Sequence, residues 1–327
     1  MSKVLITTVP FGVKNRLPIE LLEGAGVEYV INPLGRKLTE EDLIEMIDDF
    51  DVVIAGTEPI TDRVMERASR LKLISRVGIG LDSVDLLSAE KHGIQVSYTP
   101  DAPAPAVAEL TVGLMLSLLR SIHLANTELH EGNWQRHFGR RIPEVTIGII
   151  GVGRIGQRVL RRLSSFGSPR ILVNDLRPDT KVVPELKLEW VDKEDIYRHA
   201  DVISLHIPLT KYTKGLIGEK QLQLMKHDAL LINTARGGLV NENDLAEVLN
   251  KGHLGGAAID VFEQEPYMGP LADIQRCLLT AHMGSMSIDC RTRMEIEATE
   301  EAVRFLTGES LQGKVPANEY EVQRQGL

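Results

Sequence analysis

The 327-residue sequence predicts an α/β protein made of two doubly wound parallel-sheet domains with a cleft between them. Short β-rich runs alternate with helical stretches over residues 1–100, and the alternation resumes from residue 146 to about 281. Long helical segments separate and follow the two series. A glycine-rich run occurs only in the second series, so the two domains are expected to have different roles.

The first series predicts a sheet of parallel strands covered by helices. Thr39 followed by acidic residues is a suitable helix N-cap, and Thr61 begins another helix in the same way. The β-rich runs are Val4–Thr8, Val27–Ile31, Val52–Ala55, Leu71–Ser75 and Ile94–Tyr98.

The second series predicts a larger sheet of the same kind. Its β-rich runs are Thr146–Ile150, Ile171–Asn174, Leu188–Val191, Val202–His206, Ala229–Thr234, Ala257–Val261 and Cys277–Thr280. One long amphipathic helix is predicted from about Ala106 to Glu131. A second, Ile288–Thr307, is expected to return to the first domain, and the polar tail after Gly313 is expected to be loosely held.

The domain boundaries follow from these long helices. Residues 1–101 with 287–327 are predicted to form a discontinuous substrate-binding (catalytic) domain, and residues 102–286 a cofactor-binding domain. The cleft expected between the two domains is a common place for a small ligand to bind.

Composition and charge exclude several classes of function. The chain is 43% hydrophobic and 25% charged, with a net charge of −9, which argues against nucleic acid or an anionic membrane as partner. Cys277 and Cys290 have no metal-ligand spacing and are expected to be reduced and structural, and no metal site is predicted. The N-terminus is typical of a strand and not of a signal peptide, so a cytoplasmic location is expected.

Gly151, Gly153 and Gly156 form a G-x-G-x-x-G run between a strand and a helix. The first glycine allows a tight turn, the second lets a pyrophosphate approach the backbone, and the third lets the helix pack closely on the strand. Asp175 ends the next strand, where a carboxylate can bind both ribose hydroxyls of NAD and repel the 2′-phosphate of NADP. This strand–turn–helix–strand segment with its final acid therefore predicts a Rossmann-like domain with NAD as cofactor.

Two further strand ends in the second series carry residues suited to hydride-transfer chemistry. Arg236 follows a buried strand and precedes glycines, where a guanidinium can bind a carboxylate and polarise a carbonyl. His282 also follows a short apolar strand and is a candidate acid/base. His206 ends another strand but has no acid nearby in sequence, and we expect it to pack near the cofactor.

A carboxylate beside His282 would fix its tautomer and favour its protonated form. Asp260, Glu263 and Glu265 lie in one short segment, and the residues alone do not choose among them.

Several motifs, in order along the whole chain, resemble the D-isomer-specific 2-hydroxyacid dehydrogenase family, and within it the phosphoglycerate dehydrogenase branch without its optional C-terminal regulatory domain. They lie at 77–85, 108–111, 148–156, 200–210, 231–238, 258–266 and 280–285. The resemblance implies Rossmann/flavodoxin-like domains and interconversion of a D-2-hydroxy acid and its 2-keto acid, possibly a phosphorylated one.

The resemblance also implies roles for individual residues. The catalytic triad would be Arg236, Glu265 and His282, which selects Glu265 among the three acids. Backbone N–H groups of Val77 and Gly78, together with Arg236, would bind the substrate carboxylate. The implied cofactor contacts are Val107, Gly151, Gly153, Arg154, Ile155, Gly156, Asp175, Pro208, Thr234, Ala235, Asp260 and Gly284, with Asp260 on the nicotinamide carboxamide. A homodimer through the NAD-binding domains is implied as well.

Departures from the family pattern leave the substrate open. Ala281 replaces a usual proline, Ser83 replaces a common asparagine, and Pro103 lies where an asparagine is frequent. The loop at 55–59 lacks the arginine that phosphoglycerate-type sites place near a phosphate. Alternatives to a hydroxyacid dehydrogenase are an NAD(H)-sensing binding protein of the corepressor type and a phosphite- or formate-type dehydrogenase.

Overall fold

A computed structural model describes residues 2–179 and 182–326 of the chain. The chain divides into two compact units, residues 1–103 with 286–327 and residues 104–285. Every strand that the structure describes pairs in parallel with its neighbours.

The strands are β1 (Lys3–Ile6), β2 (Glu28–Ile31), β3 (Val52–Ala55), β4 (Leu73–Arg76), β5 (Gln95–Tyr98), β6 (Thr146–Ile150), β7 (Arg170–Asn174), β8 (Leu188–Trp190), β9 (Val202–Leu205), β10 (Leu230–Asn233), β11 (Gly256–Ile259) and β12 (Cys277–Leu279). The α-helices are α1 (Leu17–Gly24), α2 (Glu40–Met46), α3 (Asp62–Arg67), α4 (Leu86–Lys91), α5 (Ala104–Leu119), α6 (Ile122–His130), α7 (Arg154–Leu163), α8 (Lys193–His199), α9 (Glu219–Leu224), α10 (Glu242–Asn250), α11 (Ile288–Thr307) and α12 (Ala317–Gln325).

The first unit is built on a five-stranded sheet in the order β2-β1-β3-β4-β5. This is the flavodoxin-like order of doubly wound sheets, which reverses direction between β1 and β3. Thr39 forms a capping box with Asp42 at the start of α2, and the Thr61 side chain accepts from the Val64 amide at the start of α3. The apolar side chains of these helices and strands form a buried core that includes Leu5 and Ile74.

Helix α11 occupies the predicted range and contacts β3, β4 and β5 of the first unit. The prediction of a loosely held tail after Gly313 is wrong. Val315 is buried and α12 packs against α4, while the Gln323 side chain donates to Val84 O at 2.9 Å. The polar composition of α12 reflects its solvent-facing side, and a few specific contacts hold the helix to the unit.

The second unit is built on a seven-stranded sheet in the order β12-β11-β10-β9-β6-β7-β8. This contains the Rossmann order with one added strand, and the glycine-rich run follows β6 near the centre. Two buried apolar layers cover the sheet, one including Leu231 and Ile259 and the other including Ile147 and Ile232. Alternate residues of one strand therefore face opposite layers, as a doubly wound sheet requires.

The single long helix predicted from Ala106 to Glu131 is instead two helices. Ser121 adopts a left-handed conformation (φ 50°), which ends α5 and starts α6 in a new direction. Among the described residues no single helix is long and apolar enough to cross a membrane, although α5 and α6 together meet the length and composition with a 64° bend.

Both cysteines are buried free thiols. Burial raises the pKa of Cys277 to about 12 and that of Cys290 to about 11. Neither therefore carries thiolate at neutral pH, which is the form needed for nucleophilic or metal-binding roles.

Candidate active site

The glycine-rich loop fits a dinucleotide pyrophosphate. Gly151 has φ +98°, and a Cβ there would lie 2.4 Å from the His206 carbonyl oxygen. A Cβ on Gly156 would lie 2.1 Å from the Gly151 carbonyl oxygen, so α7 packs against the loop only without a side chain. A Cβ on Gly153, by contrast, would meet no atom of a described residue within 4 Å. Open space therefore lies at the N-terminus of α7, where helix amides favour phosphate.

Asp175 lies beside this loop, immediately after β7. Its Oδ2 accepts from the Val152 amide at 2.7 Å and its Oδ1 from the Arg177 amide at 2.9 Å. A carboxylate oxygen has more than one acceptor position, so both oxygens keep capacity for ribose hydroxyls. The predicted cofactor residues Arg154 and Ile155 are the first two residues of α7, whose amides have no partner within the helix.

The remaining predicted cofactor residues lie at the ends of the neighbouring strands and on α5. Thr234 is buried directly after β10, and its hydroxyl lies 2.8 Å from that of Thr111 on α5. A Cβ on Gly284 would lie 3.3 Å from Val107 Cγ2, so these two residues adjoin. Pro208 follows β9, which pairs with both β6 and β10. The structure thus places this group at the carboxyl edge of the sheet.

Arg236, Glu265 and His282 are carried by the loops that follow three adjacent strands. Ile259 of β11 pairs with Asn233 of β10 on one side and with Leu279 of β12 on the other. A Cβ on Gly237 would lie 2.0 Å from the Phe262 carbonyl oxygen, so the Arg236 loop packs directly on the loop that leads to Glu265. This contact, together with the hydrogen bond from the His282 amide to Asp260 O, holds the three loops side by side.

The side chains of His282 and Glu265 are in direct contact. His282 Nδ1 lies 2.9 Å from Glu265 Oε2 and 3.0 Å from Oε1, and the two side chains are 38% and 22% exposed. Glu265 Oε1 also accepts from the Phe262 amide at 3.2 Å. The carboxylate therefore fixes Nδ1–H as a donor and leaves Nε2 as the ring nitrogen available for proton transfer.

Hydrogen bonds within the Arg236 loop hold its backbone in place. The Asn233 side chain donates to Arg236 O at 2.8 Å, and its own oxygen accepts from the Ala235 amide at 3.1 Å. One Arg236 amino group donates to Ala235 O at 2.7 Å, and the side chain is half-buried. The guanidinium, which has five donors in a fixed plane, is thus carried by a turn that these hydrogen bonds stabilise.

The two other acids considered beside His282 have different surroundings. Asp260 is buried and accepts from the Thr280 hydroxyl (2.6 Å), the Met283 amide (2.9 Å) and the Gly284 amide (3.0 Å). Burial raises the pKa of Asp260, and these bonds oppose that effect. Glu263 is exposed and lies 3.4 Å from Lys214.

Asp260 thus shapes the loop that carries the imidazole. His282 itself has a left-handed backbone (φ 48°), and its amide donates to Asp260 O at 2.8 Å. A conformation of this kind costs about 1 kcal/mol for a residue other than glycine. The bonds to Asp260 offset that cost, and they hold the loop although Ala281 stands in the place of the usual proline.

His206 is not suited to proton transfer at neutral pH. Burial lowers its pKa to about 4, and its buried Nδ1 has no hydrogen-bond partner among the residues that the structure describes. Nε2 lies 2.9 Å from the Ser204 hydroxyl. The carbonyl oxygen of His206 closes over Gly151, which agrees with a packing position beside the glycine loop.

In the first unit, the amides predicted to bind a substrate carboxylate already have acceptors. The Val77 amide donates to Ala55 O at 2.9 Å, and the Gly78 amide donates to the Thr99 hydroxyl at 2.8 Å. Both amides are therefore engaged within the first unit, and their role toward a substrate carboxylate stays a prediction. The sequence pattern does not tell which amides of a turn are used internally.

The sequence alone does not pick out Thr111, whose hydroxyl contacts that of Thr234. Thr111 lies on α5, 123 positions before Thr234 in the chain, and is buried. The motif at 108–111 contains Thr111, but no local feature pairs these two hydroxyls.

Comparisons with known proteins identify the family of the chain. Residues 112–284 match the model of the D-isomer specific 2-hydroxyacid dehydrogenase NAD-binding domain. A D-3-phosphoglycerate dehydrogenase of Methanocaldococcus jannaschii is 39% identical over 297 residues, which cover 89% of this chain but only 56% of that protein. A hydroxypyruvate reductase of Thermotoga maritima is 37% identical over 279 residues, covering 82% of this chain and 89% of that protein.

A solved structure shows the same fold over nearly the whole chain. It is a protein of Thermus thermophilus with 33% identity and a TM-score of 0.87, and the match covers 96% of this chain and 100% of the other. On the strength of the family match, the curated relatives and the NAD-type loop, the chain belongs to the D-isomer-specific 2-hydroxyacid dehydrogenase family and is an NAD-dependent oxidoreductase.

Proposed function

We propose that the protein interconverts a D-2-hydroxy acid and its 2-keto acid, with Arg236, Glu265 and His282 as its catalytic triad. The observation that carries this is the contact of both Glu265 carboxylate oxygens with His282 Nδ1, on a loop packed beside that of Arg236. The likeness to a protein named hydroxypyruvate reductase supports the reaction class.

The roles follow from the chemistry of each group. Bound NADH supplies the hydride. Arg236 holds the substrate carboxylate and polarises the ketone, because its charge stabilises the developing alkoxide. His282, protonated in the direction of reduction, gives its Nε2 proton to that oxygen, and in oxidation neutral Nε2 accepts it. Glu265 stabilises the imidazolium, and Asp260 keeps the loop in place while serving as the proposed acceptor for the nicotinamide carboxamide.

A panel of 2-keto acids with NADH tests the proposal directly. Loss of NADH absorbance with glyoxylate, hydroxypyruvate, pyruvate or 3-phosphohydroxypyruvate is expected, with the D-hydroxy acid as product. An NAD(H)-sensing binding protein would bind NADH and oxidise none of it. Reduction of NAD with phosphite or formate, but not with hydroxy acids, would favour a phosphite- or formate-type dehydrogenase instead.

Glu265→Gln is expected to lower kcat/KM for reduction by about 10²-fold or more, while the affinity for NADH stays within about twofold. A glutamine cannot stabilise the charge of the imidazolium, and its amide can present an N–H to Nδ1, which disfavours the ring tautomer that leaves Nε2 for proton transfer. Steady-state rates of NADH oxidation and fluorescence titration of NADH measure the two effects separately.

Glu263→Gln is the matched control, since it neutralises an exposed glutamate two residues away that contacts Lys214 and not the imidazole. Its kcat/KM should stay within a few-fold of the wild-type value. If Glu265→Gln also keeps that value, Glu265 does not orient His282.

We also propose that the partner of the chain is a second copy of itself, bound through the NAD-binding unit. Helix α6 and the segment after it expose large apolar side chains, and an exposed apolar patch of this kind commonly marks a protein–protein interface. The exposed fractions are 53% for Ile122, 57% for Leu129, 80% for Trp134 and 106% for Phe138.

A further inference from the structure

The loop that carries Glu265 is bonded to helix α10. Glu242, the first residue of α10, is half-buried, and its Oε1 accepts from the Glu263 amide at 2.9 Å. Glu263 lies two residues before Glu265, so this bond fixes the backbone just ahead of that acid. The helix itself is anchored, since the Asn241 side chain caps it and Leu245 lies in the buried core of the second unit. Glu242 therefore connects a fixed helix to the Glu265 loop.

The chain on the other side of Glu265 also meets this carboxylate, through Tyr267. Tyr267 follows Glu265 by two residues. Burial raises the pKa of the Tyr267 hydroxyl, and the nearby Glu242 carboxylate raises it further. The same hydroxyl oxygen accepts from the Leu271 amide at 3.1 Å. Glu242 thus interacts with the loop both before and after Glu265.

The Tyr267 ring passes this constraint on to Glu265 through Phe262. The two rings are stacked, with centroids 4.1 Å apart, and the Phe262 amide donates to Glu265 Oε1 at 3.2 Å. A Cβ on Gly269 would lie 2.5 Å from the Tyr267 hydroxyl oxygen, so the chain folds over the ring only without a side chain there. A shift of Tyr267 would therefore move the backbone that holds the carboxylate against His282.

The surroundings of Glu242 favour an acceptor but not a charge. Burial raises the pKa of Glu242, and the charges of Glu263 and Glu265 raise it further, while the bonds from the Glu263 amide and the Tyr267 hydroxyl oppose the rise. A carboxylate that is partly buried beside like charges costs free energy, which hydrogen-bond donors must offset. An uncharged acceptor of the same length would therefore hold the loop as well as the carboxylate does.

We propose that Glu242 is a positioning residue for Glu265. Through the Glu263 amide and Tyr267 it fixes the loop from which Glu265 contacts His282 Nδ1, and it does so by the length of its acceptor side chain and not by its charge. The inference rests on the proposed function, because it assigns a supporting residue to that catalytic triad. Every residue in this chain of contacts belongs to the second unit.

Three substitutions at position 242 separate side-chain length from charge. Glu242→Ala removes the acceptor, Glu242→Asp keeps the charge on a side chain one methylene shorter, and Glu242→Gln keeps the length without the charge. The assay uses the keto acid of the panel that the wild-type protein reduces fastest. In the alanine and aspartate variants kcat should fall about 10–10²-fold, because a displacement of about 1 Å at the reacting groups has an effect of this size. The glutamine variant should stay within about threefold of the wild-type kcat, and NADH affinity within about twofold throughout.

Asp244→Ala is the matched control on the same helix. Asp244 is half-buried and accepts from the Glu219 amide at 2.9 Å, which joins α10 to α9 and not to the Glu265 loop. Its thermal stability should fall about as much as that of Glu242→Ala, since each variant loses an acceptor for a backbone amide. Its kcat should stay at the wild-type value. An equal loss of kcat in the two variants would assign the effect to the stability of α10 and overturn the inference.

The tautomer of His282 gives a readout that needs no turnover. NMR spectra of protein containing isotope-labelled histidine report which ring nitrogen carries the proton, and a His282→Gln variant assigns the signals. At alkaline pH the wild-type protein and Glu242→Gln should hold the proton on Nδ1, whereas Glu242→Ala and Glu242→Asp should show a mixture of tautomers. A glutamine variant as impaired as the aspartate variant, or an aspartate variant with wild-type kcat and spectrum, would overturn the inference whether or not the alanine variant folds.

The two measurements also separate this inference from the proposed function. If keto acids are reduced but Glu242→Asp changes neither kcat nor the His282 spectrum, only the role of Glu242 fails. If no keto acid is reduced while the His282 tautomer depends on the side chain at position 242, the proposed function fails and the positioning role stands.

Discussion

Arg236→Ala is expected to lower kcat/KM for 2-keto acids by about 10³-fold or more while the affinity for NADH stays within about twofold. The guanidinium supplies charge and two directed donors to the substrate carboxylate and to the developing alkoxide, and loss of one such preorganised donor costs about 10²–10³-fold. NADH is proposed to bind chiefly at the glycine loop and Asp175, neither of which the substitution alters. Steady-state assays with fluorescence titration of NADH measure the two effects separately.

Arg276→Ala is the matched control for removal of an arginine from the same unit. Arg276 is exposed and donates to Leu254 O at 3.3 Å, before the start of β12 and away from the three loops of the site. Its kcat/KM should stay within a few-fold of the wild-type value. An Arg236→Ala protein that keeps a tenth or more of its activity would remove Arg236 from the proposed triad.

Asp175→Ala is expected to shift the preference for NADH over NADPH by about 10²-fold, chiefly through a higher KM for NADH and a lower one for NADPH. The substitution removes the proposed acceptors for two ribose hydroxyls and the charge that would repel a 2′-phosphate, each of which contributes about tenfold or more. Initial rates with each cofactor at a fixed keto acid concentration give the ratio.

Asp175 also accepts from the Val152 amide, so loosening of the glycine loop could raise the KM for both cofactors. That effect would leave the ratio unchanged, which distinguishes it from the proposed recognition. Asp192→Ala, which removes the N-cap of α8 in the same unit, should cost stability without changing the ratio. An unchanged ratio in Asp175→Ala would exclude Asp175 as the discriminating residue.

Much of the fold was predictable because parallel strands buried on both faces are short apolar runs bounded by turns. Helix Ile288–Thr307 was predictable because it begins after Ser287 and ends at Gly308, a C-cap in the left-handed conformation. The bend at Ser121 was not, since serine gives no strong signal for positive φ. The contacts of α12 were missed because they depend on a distant turn at 81–84.

The residues of the candidate site also divide into those that the sequence predicts and those that it does not. Arg236 and His282 could be picked out because both stand at the carboxyl ends of strands, where ligands bind in this architecture. Residue chemistry alone left three acids open beside His282. Only the family resemblance singled out Glu265, and only coordinates show that Asp260 turns inward to the loop amides. Hydrogen bonding within a turn, as at Val77 and Gly78, has no trace in the sequence pattern.

The close approach at Gly237 has a consequence for redesign of the protein. Because the chain there touches the peptide at Phe262, no side chain can be introduced without moving the loop of Glu265 as well. Laboratory evolution toward other acids is thus expected to leave this junction untouched and to accumulate its changes elsewhere. The catalytic loops would then be retained together, and the substitutions that change substrate specificity would lie on other surfaces of the protein.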